Sequence, residues 1–193
     1  MYNIVEMNVY VVGSPTTGKS SLAKILKKKI PQLNVISFEA VRNGFMKAQP
    51  ELDMGNRQSL ARKEILPQFV LEFAVWNERM TGQPTLVEGS FAMVREIADK
   101  VRKEDIIVCL GYGKMTLAEI ARRAISKAGA DSYLFGRTEE EFMDHFYDLV
   151  DDDRMNREFC KENEIPYFVT ADERGRVLDE VAESIIKRIV GSK

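Results

Sequence analysis

Eight residues near the N-terminus, Gly13-Ser14-Pro15-Thr16-Thr17-Gly18-Lys19-Ser20, constrain this chain more than any other segment. They have the spacing of a complete phosphate-binding loop. The apolar run Val9-Tyr10-Val11-Val12 leads in and reads as a buried strand. Ser21-Leu22-Ala23-Lys24-Ile25-Leu26-Lys27 leads out with helical periodicity, so the loop has the strand–loop–helix context it needs. Gly13 and Gly18 let the backbone wrap closely around phosphate oxygens. Neighbouring N–H groups, with Ser14 to Thr17 and Ser21 among the candidate nucleotide-binding residues, and the positive end of the new helix favour the anion. Lys19 can reach terminal phosphates, and the Ser20 hydroxyl can ligate Mg²⁺. The segment implies binding of ATP or GTP with Mg²⁺.

The rest of the chain supplies a sheet for that loop. Apolar segments at 7–12, 33–38, 84–88, 105–110 and 166–170 read as strands, with helical patterns between them. Such alternation predicts an α/β fold: a parallel sheet covered by helices on both faces. No repeat, low-complexity tract or linker interrupts it, and 193 residues suit one domain. Thr116-Leu117-Ala118-Glu119 and Thr138-Glu139-Glu140-Glu141 match the capping box and predict helix starts. Gly191 is placed to stop the last helix. In the helical segment 57–80, Pro67 should kink or split the helix. Trp76 lies on the apolar stripe of that segment and is read as a packing residue. About 45 residues separate the second and third strands, more than a minimal crossover needs. Residues 39–82 are therefore read as a helical insertion that covers a second substrate.

Charged residues sit where the strands end. The third strand runs into Leu86-Val87-Glu88-Gly89-Ser90, and Glu88 can support Mg²⁺ through water. The competing assignment is a cap for the following helix. After the second strand, Glu39 and Arg42 are three residues apart and share a helix face. The carboxylate could orient or deprotonate an acceptor hydroxyl, and the guanidinium could clamp an anion. An ordinary surface ion pair is the alternative. Phosphoryl transfer also needs positive charge at the migrating group, and Arg122, Arg123 and Arg154 are the candidate suppliers. The run Asp151-Asp152-Asp153 reads as a solvated helix face, and His145, the only histidine, as structural.

Composition closes off other classes. A formal net charge of −2 argues against a nucleic-acid binder. Two cysteines cannot form a disulfide framework, and Cys109 sits in an apolar run as a core residue. No apolar stretch approaches the ~20 residues of a membrane span, so a cytoplasmic protein is expected. Oligomeric state is left open.

With these motifs the chain resembles P-loop small-molecule kinases of the nucleoside monophosphate and shikimate kinase branch. The specific element is Gly13–Ser20. Glu88-Gly89 resembles the acidic-Gly pair ending the third strand in that branch. Ser37-Phe38-Glu39-Ala40-Val41-Arg42 resembles its Ser-x-Asp-x-x-Arg acceptor segment, with Glu replacing Asp. Thr170-Ala171-Asp172-Glu173-Arg174 resembles the loop that packs on adenine, which places Arg174 at the nucleotide. The resemblance implies the three-layer fold with strand order 2-3-1-4-5. It also implies an ATP-dependent phosphotransferase with Mg²⁺ and a small-molecule acceptor. Residues 129–137 could form a short lid, although Arg137 is its only arginine. A GTPase switch would need an Asn-Lys-x-Asp motif, which is missing. A nucleotide-binding module or regulatory ATPase without an acceptor is the other alternative.

Overall fold

A computed structural model describes residues 7–56, 59–90, 94–126 and 136–191. Five parallel strands form one sheet: β1 Val9–Gly13, β2 Asn34–Ser37, β3 Thr85–Glu88, β4 Ile106–Gly111 and β5 Tyr167–Val169, in the order β2-β3-β1-β4-β5. All pairings are parallel, with Val9 aligned to both Leu86 and Ile106, and Ser37 aligned to Glu88. Each expected strand thus exists within a residue or two of its expected bounds.

Alternation along the strands builds two cores. Val9, Val11, Leu86, Val108 and Leu110 face helices α1 (Lys19–Lys29) and α8 (Arg174–Val190). Tyr10, Val12, Ile36, Val87 and Cys109 face the other layer, which includes α3 (Leu66–Thr81) and α7 (Leu149–Glu162). Because β1 is covered on both sides, its side chains are all buried. The sheet therefore holds the phosphate loop at the carboxyl end of its middle strand.

Between β2 and β3 come α2 (Phe38–Ala48), a short 3₁₀ turn at Pro50–Leu52, a π-helical turn at Ala61–Ile65, and α3. Pro67 sits in the first turn of α3. It has no N–H to offer, and the preceding turn widens so that Leu66 N–H bonds Ala61 C=O. The helix changes gauge there, which is how the expected split is realised. Leu66, Val70, Leu71 and Ala74 pack into the second core, so the insertion belongs to the main body.

Trp76 departs from expectation. It is 59% exposed rather than packed. Helix α3 carries two apolar stripes, and Trp76 lies on the one facing away from the sheet. Periodicity reports that a stripe exists but not which side the core takes.

The second half adds α4 (Arg95–Ala98), α5 (Leu117–Ser126) and α6 (Glu139–His145). Both capping boxes form: Thr138 and Glu141 bond reciprocally at the start of α6, and Thr116 and Glu119 do so at α5. Gly191 ends α8 with φ 76°. Of the expected lid, residues 129–135 lie outside the described residues, as does Arg57.

Candidate active site

The phosphate loop leaves β1 at Gly13, whose φ of 126° suits glycine alone; a Cβ there would lie 2.0 Å from the Leu110 carbonyl oxygen. The loop then knots around its own carbonyl. Lys19 Nζ and Thr17 Oγ1 both donate to Ser14 C=O, at 2.7 and 2.8 Å. Outside bracing comes from Tyr112 at the end of β4. Its hydroxyl meets Thr16 Oγ1 at 2.8 Å and also donates to Pro15 C=O. Gly18 opens α1 in the left-handed region, and the Arg174 guanidinium lies against it, donating to Ser21 Oγ at 3.3 Å. Lys19 is buried. Desolvation pulls its ammonium below the ordinary lysine value, while Glu39 and Glu88 act in the opposite direction. Burial and then the charge of Arg123 lower the Arg174 guanidinium as well.

Beside the loop, the Ser20 hydroxyl donates to Glu88 Oε2 at 2.9 Å. A hydroxyl and a carboxylate at the mouth of a phosphate loop are hard oxygen donors of the kind Mg²⁺ takes, with water completing its shell. Gly89 N–H continues the sheet by bonding Val11 C=O. The next N–H, of Ser90, donates to Glu39 Oε1 at 2.6 Å, so the end of β3 holds the Glu39 carboxylate in place. Gly89 is needed for this approach: a Cβ there would come 2.4 Å from Phe38 Cβ and 2.9 Å from Glu39 Oε2.

Arg42, one turn further along α2, has a buried Nε without a hydrogen bond among the described residues; its Nη2 donates weakly to Asn43 at 3.3 Å. Arg62 reaches in from the π-helical turn. It is buried, donates to Ser90 C=O at 3.2 Å and stacks 4.8 Å over the Phe38 ring. A cleft of about 840 Å³ joins these groups to the phosphate loop, and the α6–α7 junction closes its far side with His145, Tyr147 and Asp152.

No protein-family model and no curated protein matches this sequence. Solved structures do match. A shikimate kinase from Bacteroides thetaiotaomicron superposes with a TM-score of 0.60 at 14% identity, covering 94% of this chain and 97% of that one. A gluconokinase from Sinorhizobium meliloti 1021 gives 0.57 at 14% identity, covering 94% and 96%. A shikimate kinase from Aquifex aeolicus vf5 gives 0.54 at 12% identity, covering 94% and 97%. The chain has the P-loop kinase fold.

Within that kinase fold, the cleft brings together Gly13, Ser14, Pro15, Thr16, Lys19 and Ser20 with Glu39, Arg42 and Glu88. It does not bring in Arg122 or Arg154. Arg122 is in an exposed pair with Glu139, and Arg154 in an exposed pair with Asp151. Arg123 is closer to the loop after β5, where it donates to Thr170 C=O at 2.9 Å. Arg62 was not singled out in the sequence, because a lone arginine in a helical stretch carries no local signal.

The acidic run is not one solvated face. Asp151 is exposed and Asp152 lines the cleft. Asp153 is 3% exposed, 2.6 Å from the Tyr167 hydroxyl, 3.1 Å from Ser14 Oγ and 3.2 Å from Tyr112 N, all three donating to it. Desolvation raises its carboxyl, opposed by these hydrogen bonds. It ties α7, and so the far wall, to the phosphate loop. A turn of 3.6 residues explains the mixed fates: neighbours in sequence lie about 100° apart around the helix and point to different faces. His145 likewise has two aspects, packing edge-on against Phe146 at 4.6 Å while lining the cleft.

Proposed function

We propose that this protein transfers the γ-phosphoryl group of Mg·ATP to a small polar acceptor bearing an anionic group. The observation that carries the proposal is that one cleft is lined by the phosphate loop, an oriented carboxylate and two arginines. In this reading the loop N–H groups and Lys19 hold the terminal phosphates. Ser20 and Glu88 hold Mg²⁺, which when bound offsets phosphate charge. Glu39, kept in register by Ser90 N–H, takes up the proton of the attacking hydroxyl. Arg42 and Arg62 clamp the acceptor's anion, for which the guanidinium fork is suited. Little covalent chemistry is asked of the chain; positioning and electrostatics supply the rate. Arg123 and Arg174, beside the loop that follows β5, frame the side on which the base would stack.

The names of the structural relatives support a hydroxylated acid as the acceptor type, since shikimate and gluconate each carry a carboxylate and hydroxyls. The competing reading is a nucleotide-binding ATPase without an acceptor. It draws on Arg122 and Arg154 lying in exposed ion pairs. ADP release measured against a panel of hydroxy acids, sugar phosphates and nucleoside monophosphates separates the two. Release stimulated by an anionic acceptor, with a phosphorylated product detected by ³¹P NMR, is expected. Release that no acceptor raises above the basal rate favours the ATPase.

A further inference from the structure

On the face of α3 and of the π-helical turn before it that turns away from the sheet, five large apolar side chains stand in a row. Ile65, Phe69, Phe73, Trp76 and Met80 are 45, 44, 48, 59 and 76% exposed. Spacings of three and four residues put them on one stripe from Ile65, at the end of the π-helical turn, along α3 to Met80. The stripe is ordered: the rings of Phe69 and Phe73 stack at 6.1 Å, and Phe45 of α2 packs edge-on against Phe69 at 5.0 Å. Scattered exposed apolar residues are normal, but a contiguous row of this length marks a contact surface.

The flank of the stripe indicates what covers it. Glu72 and Arg79 are both exposed, and neither forms an ion pair among the described residues. They stand seven residues, or about two turns, apart, so they share one flank of the stripe. In an antiparallel pairing of two such helices, like flanks face each other with their order reversed. Centring the pair between Phe73 and Trp76 sets Phe69 against Met80 and Phe73 against Trp76 of the other copy. The same register brings Glu72 of each copy within one turn of Arg79 of the other. Apolar seam and flanking charges are therefore both self-complementary about one two-fold axis. We infer that the α3 face is a homodimer interface, in which two copies pack α3 against α3 antiparallel.

A seam of one helix face is narrow beside the ~800 Å² per partner of standard complexes, and a reversible dimer with an affinity on the order of micromolar is expected. Sedimentation velocity over about 1–200 µM protein tests this, since that span brackets such an affinity. The wild type should shift from one chain to two across the range. Trp76→Glu should stay monomeric, its circular dichroism unchanged because the side chain is mostly in water. Glu72→Arg should weaken the dimer roughly tenfold by setting arginine against arginine at two symmetric places. The double exchange Glu72→Arg/Arg79→Glu should restore it. A wild type that remains monomeric throughout overturns the inference. So does a dimer that Trp76→Glu leaves intact, or one that responds to neither the charge reversal nor its rescue.

Discussion

The phosphate loop hangs from a strand buried on both faces, whereas the wall proposed to take the acceptor hangs from helices whose outer side is in water. In β1 every side chain is buried; in α2 only Phe38 is. In the proposed reading the loop would grip phosphate largely with its own backbone, which is shaped by Gly13, by the Ser14 carbonyl that two side chains grip, and by the bracing Tyr112 hydroxyl. The acceptor wall offers side chains instead: Glu39 and Arg42 from α2, and Arg62 from a helical turn wound off the ordinary pitch. A site made of backbone, held by a core, can serve one ligand group without varying. A wall of side chains on peripheral helices can be exchanged without disturbing the sheet. On the proposed function, this is why the half assigned to the nucleotide reads as generic and the half assigned to the acceptor as specific.

The largest expected effect sharpens the nucleotide side of that contrast. Lys19→Ala should lower phosphotransfer by roughly 10²–10³-fold or more, the scale seen when one charge-stabilising donor is removed. Among the described residues its Nζ hydrogen-bonds the Ser14 carbonyl alone, so circular dichroism should keep the wild-type shape. Turnover surviving in a folded variant would remove Lys19 from the chemistry.

Two glycines give a matched pair. Gly13→Ala drives a Cβ into the Leu110 carbonyl and should damage stability and Mg·ATP binding together. Gly89→Ala meets Phe38 and the Glu39 carboxylate instead. It should depress acceptor-dependent turnover while leaving Mg·ATP affinity near that of the wild type. If both substitutions damage nucleotide binding equally, the two halves are not separable.

Arg42→Ala should raise the acceptor KM roughly ten- to a hundredfold, the ~1.5–3 kcal/mol of a charge-assisted contact. A surface arginine would give almost no effect. Steady-state kinetics with the best acceptor from the panel decides between them.

Asp153 gives the smallest effect and links the halves. Burial raises its carboxyl above the ordinary 3.8, so the native state keeps the proton to higher pH than the unfolded chain does. Its contribution to stability is full below 3.8 and is lost as pH rises through the native value. An asparagine there does not titrate. Urea unfolding at a series of pH values should show the stability of Asp153→Asn relative to wild type rising as pH climbs above about 4 and levelling off once pH passes the raised native value. A pH-independent difference would mean that the hydrogen bonds from Tyr167, Ser14 and Tyr112 fully offset the desolvation.

Sheet and loop were legible in the sequence because their signals are local. Ile106-Ile107-Val108-Cys109-Leu110 is apolar for its whole length, as a strand covered on both faces must be, and Gly13–Ser20 carries its own punctuation. Thr138 and Glu141 announce a helix start by reaching only each other. The other walls of the cleft depend on contacts across the fold: Glu39 meets Ser90, 51 positions away, and Asp153 meets Ser14, 139 away. No spacing rule reports such meetings. Trp76 failed for a related reason, since either stripe of α3 could have taken the core.

Calorimetric titration of Mg·ATP into the wild type, Lys19→Ala and Arg42→Ala tests the division of the cleft most directly, and needs no acceptor. The expected result is saturable binding in the wild type, unchanged within error in Arg42→Ala and lost in Lys19→Ala. Failure of the wild type to bind, or equal loss in both variants, would contradict a phosphate loop that holds the nucleotide independently of the acceptor wall.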